Sequence, residues 1–346
     1  MMILLAILAF GLLIFVHELG HLLAAKGSGI RVNEFAIGMG PRLISFVKGE
    51  TRYSLRALPL GGFCAMGEDD EFEGDDPAAF QNAKLRHRLL TLAAGSAMNL
   101  VLGFVLLVVL SANLNLIPTN QVARFAETAT SNQLLMEGDY INRVDGSRTR
   151  TANDVLYEFS RSRDGVVDIE VIRDGQVLQL TGVRFHMHEI EGASFLVRDF
   201  VFYGARPTFF NVLANALNWT YSVARMVWGS LVDLITGRFG FNQVSGPIGV
   251  TTAIGGAVQA GLETSTWEAI QNFIYLVSVI SVNLGIFNLL PFPALDGGRI
   301  LFLFIEGVRR KPLPARFESI VNTAGFALLI GLIIFATIND VFRLIT

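Results

Sequence analysis

Long apolar runs determine how this chain is organised. The first covers residues 1–25, and others follow at 89–113, 268–286 and 319–338. A transmembrane helix needs roughly 20 apolar residues, because each residue advances it by about 1.5 Å. The first run lacks a basic start and a small-residue cleavage pattern, so we interpret it as a retained helix and not as a signal peptide. The pattern predicts a polytopic α-helical membrane protein with about four transmembrane helices.

Different patterns occupy the stretches between these runs. Residues 30–63 alternate in short pieces separated by glycine and proline, which predicts small strands and turns at the membrane. Residues 120–184 predict a strand, a helix over 152–160 and a hairpin, and therefore a small α+β domain. Residues 207–236 combine helical apolar spacing with tryptophan and tyrosine, which is typical of a helix lying on the bilayer surface.

These patterns divide the chain into four predicted parts. They are an N-terminal membrane part at 1–113, a globular domain at 120–185, an interfacial helix region at 200–245 and a C-terminal membrane part at 246–346. Within the last two, Ser245-Gly246-Pro247-Ile248-Gly249 is expected to form a turn that leads into a Gly/Ala-rich segment.

The composition agrees with a membrane protein. Hydrophobic residues make up 52% of the chain and charged residues only 16%, whereas soluble domains are about 25% charged. The net charge of −3 and the lack of a basic patch with interleaved aromatic residues argue against nucleic-acid binding. The single cysteine, Cys64, excludes an internal disulfide and a CxxC metal site, and we expect it to be a packed free thiol.

One polar motif interrupts the first apolar run. The segment His17-Glu18-Leu19-Gly20-His21 carries the only ionisable side chains of residues 1–25. Two histidines four apart on a helix differ by about 40° around its axis, so both can reach one metal ion. Glu18 stands where such motifs place a general base. The alternative is a pair of core histidines in a soluble helix, but ionisable groups in a membrane span are usually functional.

A second polar motif interrupts the third apolar run. It reads Asn288-Leu289-Leu290-Pro291-Phe292-Pro293-Ala294-Leu295-Asp296-Gly297-Gly298. Two prolines and two glycines predict an interrupted helix whose exposed backbone lines a cavity. Asp296 is the only acidic residue between Glu268 and Glu306 and needs a cation partner, either Arg299 or a metal ion.

Charge placement predicts the orientation of the chain. Residues 26–88 contain nine lysines and arginines, and residues 309–316 contain four more. The positive-inside rule places both segments in the cytoplasm, and both termini and the globular insert outside it. His17, His21 and Asp296 then lie at similar depth. Two histidines and one carboxylate with an open fourth position are a catalytic zinc pattern, so we predict amide hydrolysis within the membrane.

Three further groups of polar residues are considered as binding sites. The pair His186 and His188 has no third ligand nearby in sequence, so we expect no metal site there. The acidic stretch Glu68–Asp76 lacks the EF-hand spacing and is expected to be a solvated loop. Asn99, inside the second run, is expected either to bond across helices or to face the active site.

The chain resembles a known family in motifs spread over nearly its whole length. Besides the two motifs above, the matching segments are Phe35–Pro41, Tyr53–Gly62, Glu137–Ile141, Val144–Gly146 and Gly246–Gly249. Their order resembles the site-2 protease family (M50-type), in its RseP/RasP-like branch of bacterial intramembrane zinc metalloproteases with a single PDZ insert. The chain departs from that family at Gly95-Ser96, where Gly-Pro is usual, and in lacking a clear Gly-Leu-Gly-Phe-like loop.

The resemblance implies specific roles. It implies Zn²⁺ held by His17, His21 and Asp296, with Glu18 as catalytic acid/base. It further implies substrate contacts from Asn288, Pro291 and Pro293, and a membrane-associated β-sheet at residues 33–62 that pairs with an unwound substrate segment.

The resemblance also implies a cellular setting. The insert is an extracytoplasmic PDZ-like domain, and the protein is a multi-pass protein of the bacterial inner membrane. Its partners are the lipid bilayer and single-span membrane proteins such as an anti-sigma factor or remnant signal peptides. Two alternatives stand beside this hypothesis. One is a non-catalytic scaffold that binds peptides through the insert, and the other is a transporter that uses Asp296 as an ion relay.

Overall fold

A computed structural model describes residues 2–66, 76–190, 193–237, 245–311 and 313–345. The chain divides into two compact units, a membrane unit formed by Met1–Leu106 with Leu231–Thr346 and an insert unit formed by Leu107–Ser230. Most of the acidic stretch at 68–76 lies outside the described residues. Its last member, Asp76, forms an ion pair with Arg31, and the distance from Asp76 Oδ2 to Arg31 Nη1 is 2.9 Å.

The helices and strands have the following bounds. The helices are α1 (Met2–Gly27), α2 (Leu85–Ala112), α3 (Ala152–Arg161), α4 (Phe209–Ile235), α5 (Pro247–Thr264), α6 (Thr266–Leu289), α7 (Asp296–Arg309) and α8 (Ala315–Ile345). The strands are β1 (Glu34–Lys48), β2 (Thr51–Ala65), β3 (Ile117–Phe125), β4 (Tyr140–Val144), β5 (Ser147–Arg148), β6 (Val166–Arg173), β7 (Gln176–Arg184), β8 (His186–Ile190), β9 (Ala193–Val197) and β10 (Phe200–Ala205).

Four helices of the described chain, α1, α2, α6 and α8, are long and apolar enough to cross a membrane. Many of their apolar side chains are exposed in the protein, as expected for surfaces that face lipid; Leu8 is 59% exposed and Leu328 63%. This confirms the prediction of about four spanning helices and makes the chain an integral membrane protein. Helix α4 is not among the four, and its Phe210 and Ile235 are more than 80% exposed.

The segment after α1 contains two long strands, so the prediction of small strands and turns was wrong in their length. The residues Glu34–Ile37 of β1 pair both with Arg52–Leu55 and with Gly62–Ala65 of β2, while Ile44–Lys48 pair with Thr51–Leu55. The ribbon therefore folds back on itself without losing its pairing. Positive φ angles at Gly38, Gly40 and Gly61 permit the bends. In the described ribbon, Gly62–Ala65 pair on one side only and form an edge.

The insert unit contains a six-stranded sheet with the order β10-β3-β4-β6-β7, with β5 beside β4. Its core joins strand residues such as Ile141 and Ile169 to Val155 and Phe159 of α3. The predicted helix and hairpin are confirmed, and Asp174 and Gly175 have the positive φ angles of a tight hairpin turn. The sheet continues past the predicted 120–185 segment, because β10 pairs with β3 and occupies the start of the region predicted as an interfacial helix.

The segment Ser245–Gly249 begins a helix, so the prediction of a turn there was wrong. Pro247 occupies the first turn of α5, where its missing N–H and fixed φ are tolerated. The backbone N–H groups of Gly246 and Gly249 donate to the carboxylate of Asp340 on α8, at 3.1 and 2.7 Å. A carboxylate 91 residues away thus caps this helix, which local sequence could not indicate.

The predicted interruption near residue 290 is confirmed. Helix α6 ends at Leu289, and α7 begins at Asp296. Ala294 in the connection has a left-handed φ of 71°. At Gly297 and Gly298 a side chain would collide with the backbone of Leu289 and Phe292, so the two glycines allow the tight reversal that brings Asp296 to the start of α7.

Candidate metal centre

Three potential metal ligands converge inside the membrane unit. Helix α1 carries His17 and His21 on one face, both buried, and the start of α7 carries Asp296. The Nε2 atoms of the two histidines are 3.2 Å apart, and Asp296 Oδ2 lies 3.2 Å from one and 3.3 Å from the other. This is the one group of three or more metal-binding side chains found among the described residues.

The dimensions of this triangle suit zinc. Bonds of about 2.0 Å in a tetrahedron place ligand atoms about 3.3 Å from one another, which matches all three separations. Asp296 Oδ2 is buried, and within the described chain it has no hydrogen-bond donor. A buried carboxylate oxygen facing two imidazole nitrogens is a donor set that fits a divalent cation. Asp296 thus faces the histidine pair.

Helix α2 closes one side of the triangle. The ring nitrogen Nδ1 of His21 lies 2.8 Å from the carbonyl oxygen of Thr91. An N–H must sit on Nδ1 for this bond, so Nε2 presents its lone pair to the centre of the triangle. At Gly95 of the same helix, a β-carbon would collide with His21 Nε2 and lie 2.8 Å from His17 Cε1. Glycine at this position leaves the space that the two imidazole rings occupy.

Glu18 lies between the triangle and the ribbon edge. The backbone of Cys64 in β2 lies near its carboxylate. A β-carbon built on Gly62 would lie 3.2 Å from Glu18 Cγ, so the edge strand passes very close to this side chain. Burial and the charge of Glu18 raise the pKa of the Cys64 thiol to about 12, which keeps it protonated and agrees with a packed free thiol.

A family model described as Peptidase family M50 matches residues 5–332. The chain belongs to this family. It is 30% identical over 421 residues to the regulator of sigma-W protease RasP from Bacillus subtilis, covering 98% of this chain and 97% of that protein. It is also 36% identical over 346 residues to a Clostridium perfringens protein provisionally named a zinc metalloprotease, covering 99% of this chain and 98% of that protein.

Membership of the M50 family identifies the protein as a zinc metalloprotease of the site-2 protease type. The enzyme, the zinc cofactor and the family inferred from the sequence are thereby confirmed. The transporter hypothesis was wrong, because it left the histidine motif without a role. The roles of individual residues stay predictions.

The remaining predicted site residues of this M50 protein differ in how close they lie to the three potential metal ligands. The amide nitrogen of Asn288 lies 3.4 Å from His17 Nδ1, so this side chain borders the triangle. Pro291 is exposed in the connection between α6 and α7, and Pro293 packs against Gly325 of α8. The structure brings Asn288 to the metal ligands, whereas the contacts of Pro293 are with another helix.

Sequence reasoning missed two residues that complete the site. Thr91 contributes only its backbone carbonyl, and Gly95 contributes only the absence of a side chain, so neither carries a chemical signal in the sequence. The departure from Gly-Pro at Gly95-Ser96 retains the glycine, which is the residue that the histidines require. Among the described residues the three-ligand group does not include His186 or His188; His186 instead contacts the carbonyl of Thr128 at 3.0 Å.

Proposed function

We propose that this M50 protease cuts single-span membrane proteins at a site within the membrane, with Zn²⁺ bound by His17, His21 and Asp296. The observation that carries the proposal is the triangle of ligand atoms with 3.2–3.3 Å edges beside Glu18. All three ligands and Glu18 come from apolar helices or their interruption, which is where a protease for transmembrane segments needs its chemistry.

Each side chain has a distinct part in the proposed reaction. A zinc ion held there supplies Lewis-acid activation of water and of the scissile carbonyl. The carboxylate of Glu18 accepts a proton from the attacking water and delivers it to the nitrogen of the leaving amine. Glu18 lies against the edge strand at Gly62, which places its carboxylate next to the proposed position of the substrate. The hydrogen bond from His21 to Thr91 keeps the ligand ring oriented through both steps.

The edge of β2 is the proposed docking site for the substrate. A helical segment hides its peptide bonds, whereas a segment added as a strand to Gly62–Ala65 exposes one bond beside Glu18. The lack of a side chain at Gly62 allows this edge strand to pack closely against Ile14 and Glu18 of α1. A cavity of about 540 Å³, lined by Cys64, Ala65 and Met66 together with residues of α2, α7 and α8, adjoins this edge and offers room for the continuing substrate chain.

Asn288 is the proposed contact for the substrate backbone near the scissile bond, because it is half-buried beside His17. Pro291 and Pro293 are proposed to act by holding the connection open next to it. The connection leaves backbone groups outside helices, and such groups can pair with an extended substrate. Their contribution is therefore to the shape of the groove more than to direct contact.

The name of one relative and the placement of charge along the chain support a proposal about substrates and cellular setting. The name of the Bacillus subtilis relative refers to regulation of sigma-W. We therefore propose anti-sigma factors, and also remnant signal peptides, as substrates. The proposed location is the bacterial inner membrane, with residues 26–88 on the cytoplasmic side and both termini outside. The insert unit is proposed to be an extracytoplasmic PDZ-like domain that holds back intact ectodomains.

The deciding experiment compares wild type with Glu18→Gln in detergent, using a truncated single-span substrate and quantifying bound zinc. We expect Glu18→Gln to retain zinc and to lose about 100-fold or more of the cleavage rate, because general acid–base catalysis contributes at least that much. Glu50→Gln is the matched control, since Glu50 is 75% exposed and its change should leave both quantities unaltered. Equal cleavage by wild type and Glu18→Gln would contradict the role of Glu18.

A further inference from the structure

Asn99 lies next to His17 and has no role in the function proposed above. Its side chain on α2 is completely buried. The amide nitrogen Nδ2 lies 3.3 Å from Nδ1 of His17. The amide oxygen Oδ1 is also buried, and no donor in the described part of the chain reaches it. A buried amide oxygen without a donor is destabilising, so its presence beside a ligand histidine calls for an explanation.

The chemistry of a ligand histidine supplies that explanation. A neutral imidazole carries one hydrogen, and a ring that binds a cation through Nε2 carries it on Nδ1. That N–H needs an acceptor, and an amide nitrogen cannot serve as one. Rotating the Asn99 amide by half a turn exchanges its two polar atoms and places Oδ1 within hydrogen-bond range of Nδ1. The rotation pairs both the ring N–H of His17 and the amide oxygen.

The second ligand histidine has the same arrangement. Nδ1 of His21 donates to the Thr91 carbonyl oxygen, again on α2. Thr91 and Asn99 are eight residues apart, which places them about two turns from each other along the helix. One helix thus offers an acceptor to each of the two ligand rings.

We infer that Asn99 is a positioning residue whose Oδ1 accepts the Nδ1–H of His17 and so directs the Nε2 lone pair of that ring toward the ion. The inference rests on the proposed role of His17 as a zinc ligand. The backbone of Asn99 is itself held in place, because Ser281 of α6 donates its hydroxyl to the Asn99 carbonyl oxygen at 2.7 Å.

This assignment separates the two asparagines near His17. Asn288 also approaches Nδ1, at 3.4 Å, but it approaches Nε2 almost equally, at 3.5 Å. One ring N–H directed at Asn99 leaves the half-buried Asn288 amide available to a substrate. Asn99 then acts on the ion through His17, and Asn288 acts on the substrate.

The test measures zinc affinity by competition with a chelator, together with thermal unfolding of the metal-free protein. We expect Asn99→Leu to weaken zinc binding by about 10- to 100-fold, the usual effect of losing a hydrogen-bond partner behind a ligand. Asn99→Asp keeps an acceptor oxygen and should restore affinity to near the wild-type value. Asn288→Leu should leave zinc affinity unchanged and reduce cleavage, which separates the roles of the two amides.

Two results would overturn the inference. They are wild-type zinc affinity in Asn99→Leu, and equal weakening in Asn99→Asp and Asn99→Leu, which would indicate packing instead of hydrogen bonding. If Asn99→Leu does not fold, Asn99→Ala replaces it in both comparisons. His17→Ala tests the underlying proposal separately: unchanged zinc binding in that variant would remove His17 from the ligand set, whatever the Asn99 variants do.

Discussion

Two buried carboxylates, one in each unit, have partners of opposite kinds. In the insert unit, Asp154 is 1% exposed, and its side chain contacts the guanidinium of Arg225 at 2.9 Å and the hydroxyl of Ser222 at 2.7 Å. In the membrane unit, Asp296 Oδ2 faces the Nε2 atoms of two histidines, at 3.2 and 3.3 Å. The first carboxylate has its countercharge within the protein. The second faces two imidazole nitrogens, and the proposed zinc ion would supply its countercharge.

The arginine pairing recurs throughout the insert unit. Arg225 also contacts Glu158 at 2.7 Å, and Arg173 binds both oxygens of Asp139 at 2.7 Å. These buried acids are structural, because each already has strong donors. Burial of an acid is therefore a poor indicator of function by itself. The identity of the partner distinguishes a structural acid from a metal ligand.

The largest expected effect tests Asp296, the proposed metal ligand. Asp296→Asn removes the one anionic ligand, so zinc affinity should fall by more than about 100-fold, beyond the range for loss of an indirect partner. The metal-free protein should unfold at nearly the same temperature, because the change keeps the size of the side chain. Chelator competition and thermal unfolding measure the two quantities. If this variant binds zinc normally but is much less stable, Asp296 stabilises the fold and is not a metal ligand.

The next largest effect tests Asp154 and Glu158, the carboxylates of the insert unit that pair with Arg225. Arg225→Met leaves Asp154 and Glu158 buried without their shared cation, and we expect a loss of about 2–3 kcal/mol in the free energy of unfolding of the insert unit. That figure is below the usual range for a buried pair, because the Arg225 side chain is 25% exposed. Zinc affinity should not change. Denaturant unfolding followed by tryptophan fluorescence provides the measurement.

A compensated variant serves as the control for this prediction. Combining Arg225→Met with Asp154→Asn and Glu158→Gln removes the negative charges of both carboxylates together with the positive charge of Arg225. Stability should recover substantially, because the main penalty in the single variant comes from the lost Arg225 contacts of the two carboxylates, although Glu158 retains an ion pair with Arg161 at 3.1 Å. If the triple variant is less stable than Arg225→Met, the carboxylates act through their backbone hydrogen bonds and not through Arg225.

The sequence predicted the parts of the molecule that have strong local signals. The spanning helices, the break before Asp296 and the turn at Asp174-Gly175 each depend on residues within a short window. His17 and His21 were predicted as ligands in the same way, from spacing on one helix, and their metal-binding role stays a prediction.

What the sequence could not predict depends on distant partners. The fold-back of β1 and β2 arises from pairing one segment with two others, and the start of α5 is capped by Asp340 from α8. Gly95 contributes the absence of a side chain, and Thr91 contributes its backbone carbonyl. Neither contribution can be recognised from the residue type in the sequence. The convergence of Asp296 with the histidines was predictable only because both motifs were placed at a similar membrane depth.

The smallest effect concerns another buried acid, Glu34, in the ribbon of the membrane unit. Burial opposes its ionisation, but hydrogen bonds from Ser54, Arg42 and Arg56 outweigh burial and lower the pKa of Glu34 to about 2. It thus belongs with the arginine-paired acids of the insert, although it lies in the same unit as Asp296. Since the unfolded chain has a pKa near 4.3, ionised Glu34 stabilises the fold fully above that pH.

This stabilisation should disappear as pH falls from about 4.3 toward 2, because the unfolded state then binds a proton that the folded state resists. Glu34→Gln should lower stability by on the order of 2 kcal/mol at neutral pH, and wild type should lose that advantage in acid. Thermal unfolding of both proteins across this pH range measures the difference. Glu50→Gln, at an exposed site on the same ribbon, should show no such convergence. A difference that is independent of pH would mean that Glu34 stabilises the ribbon through packing and not through its charge.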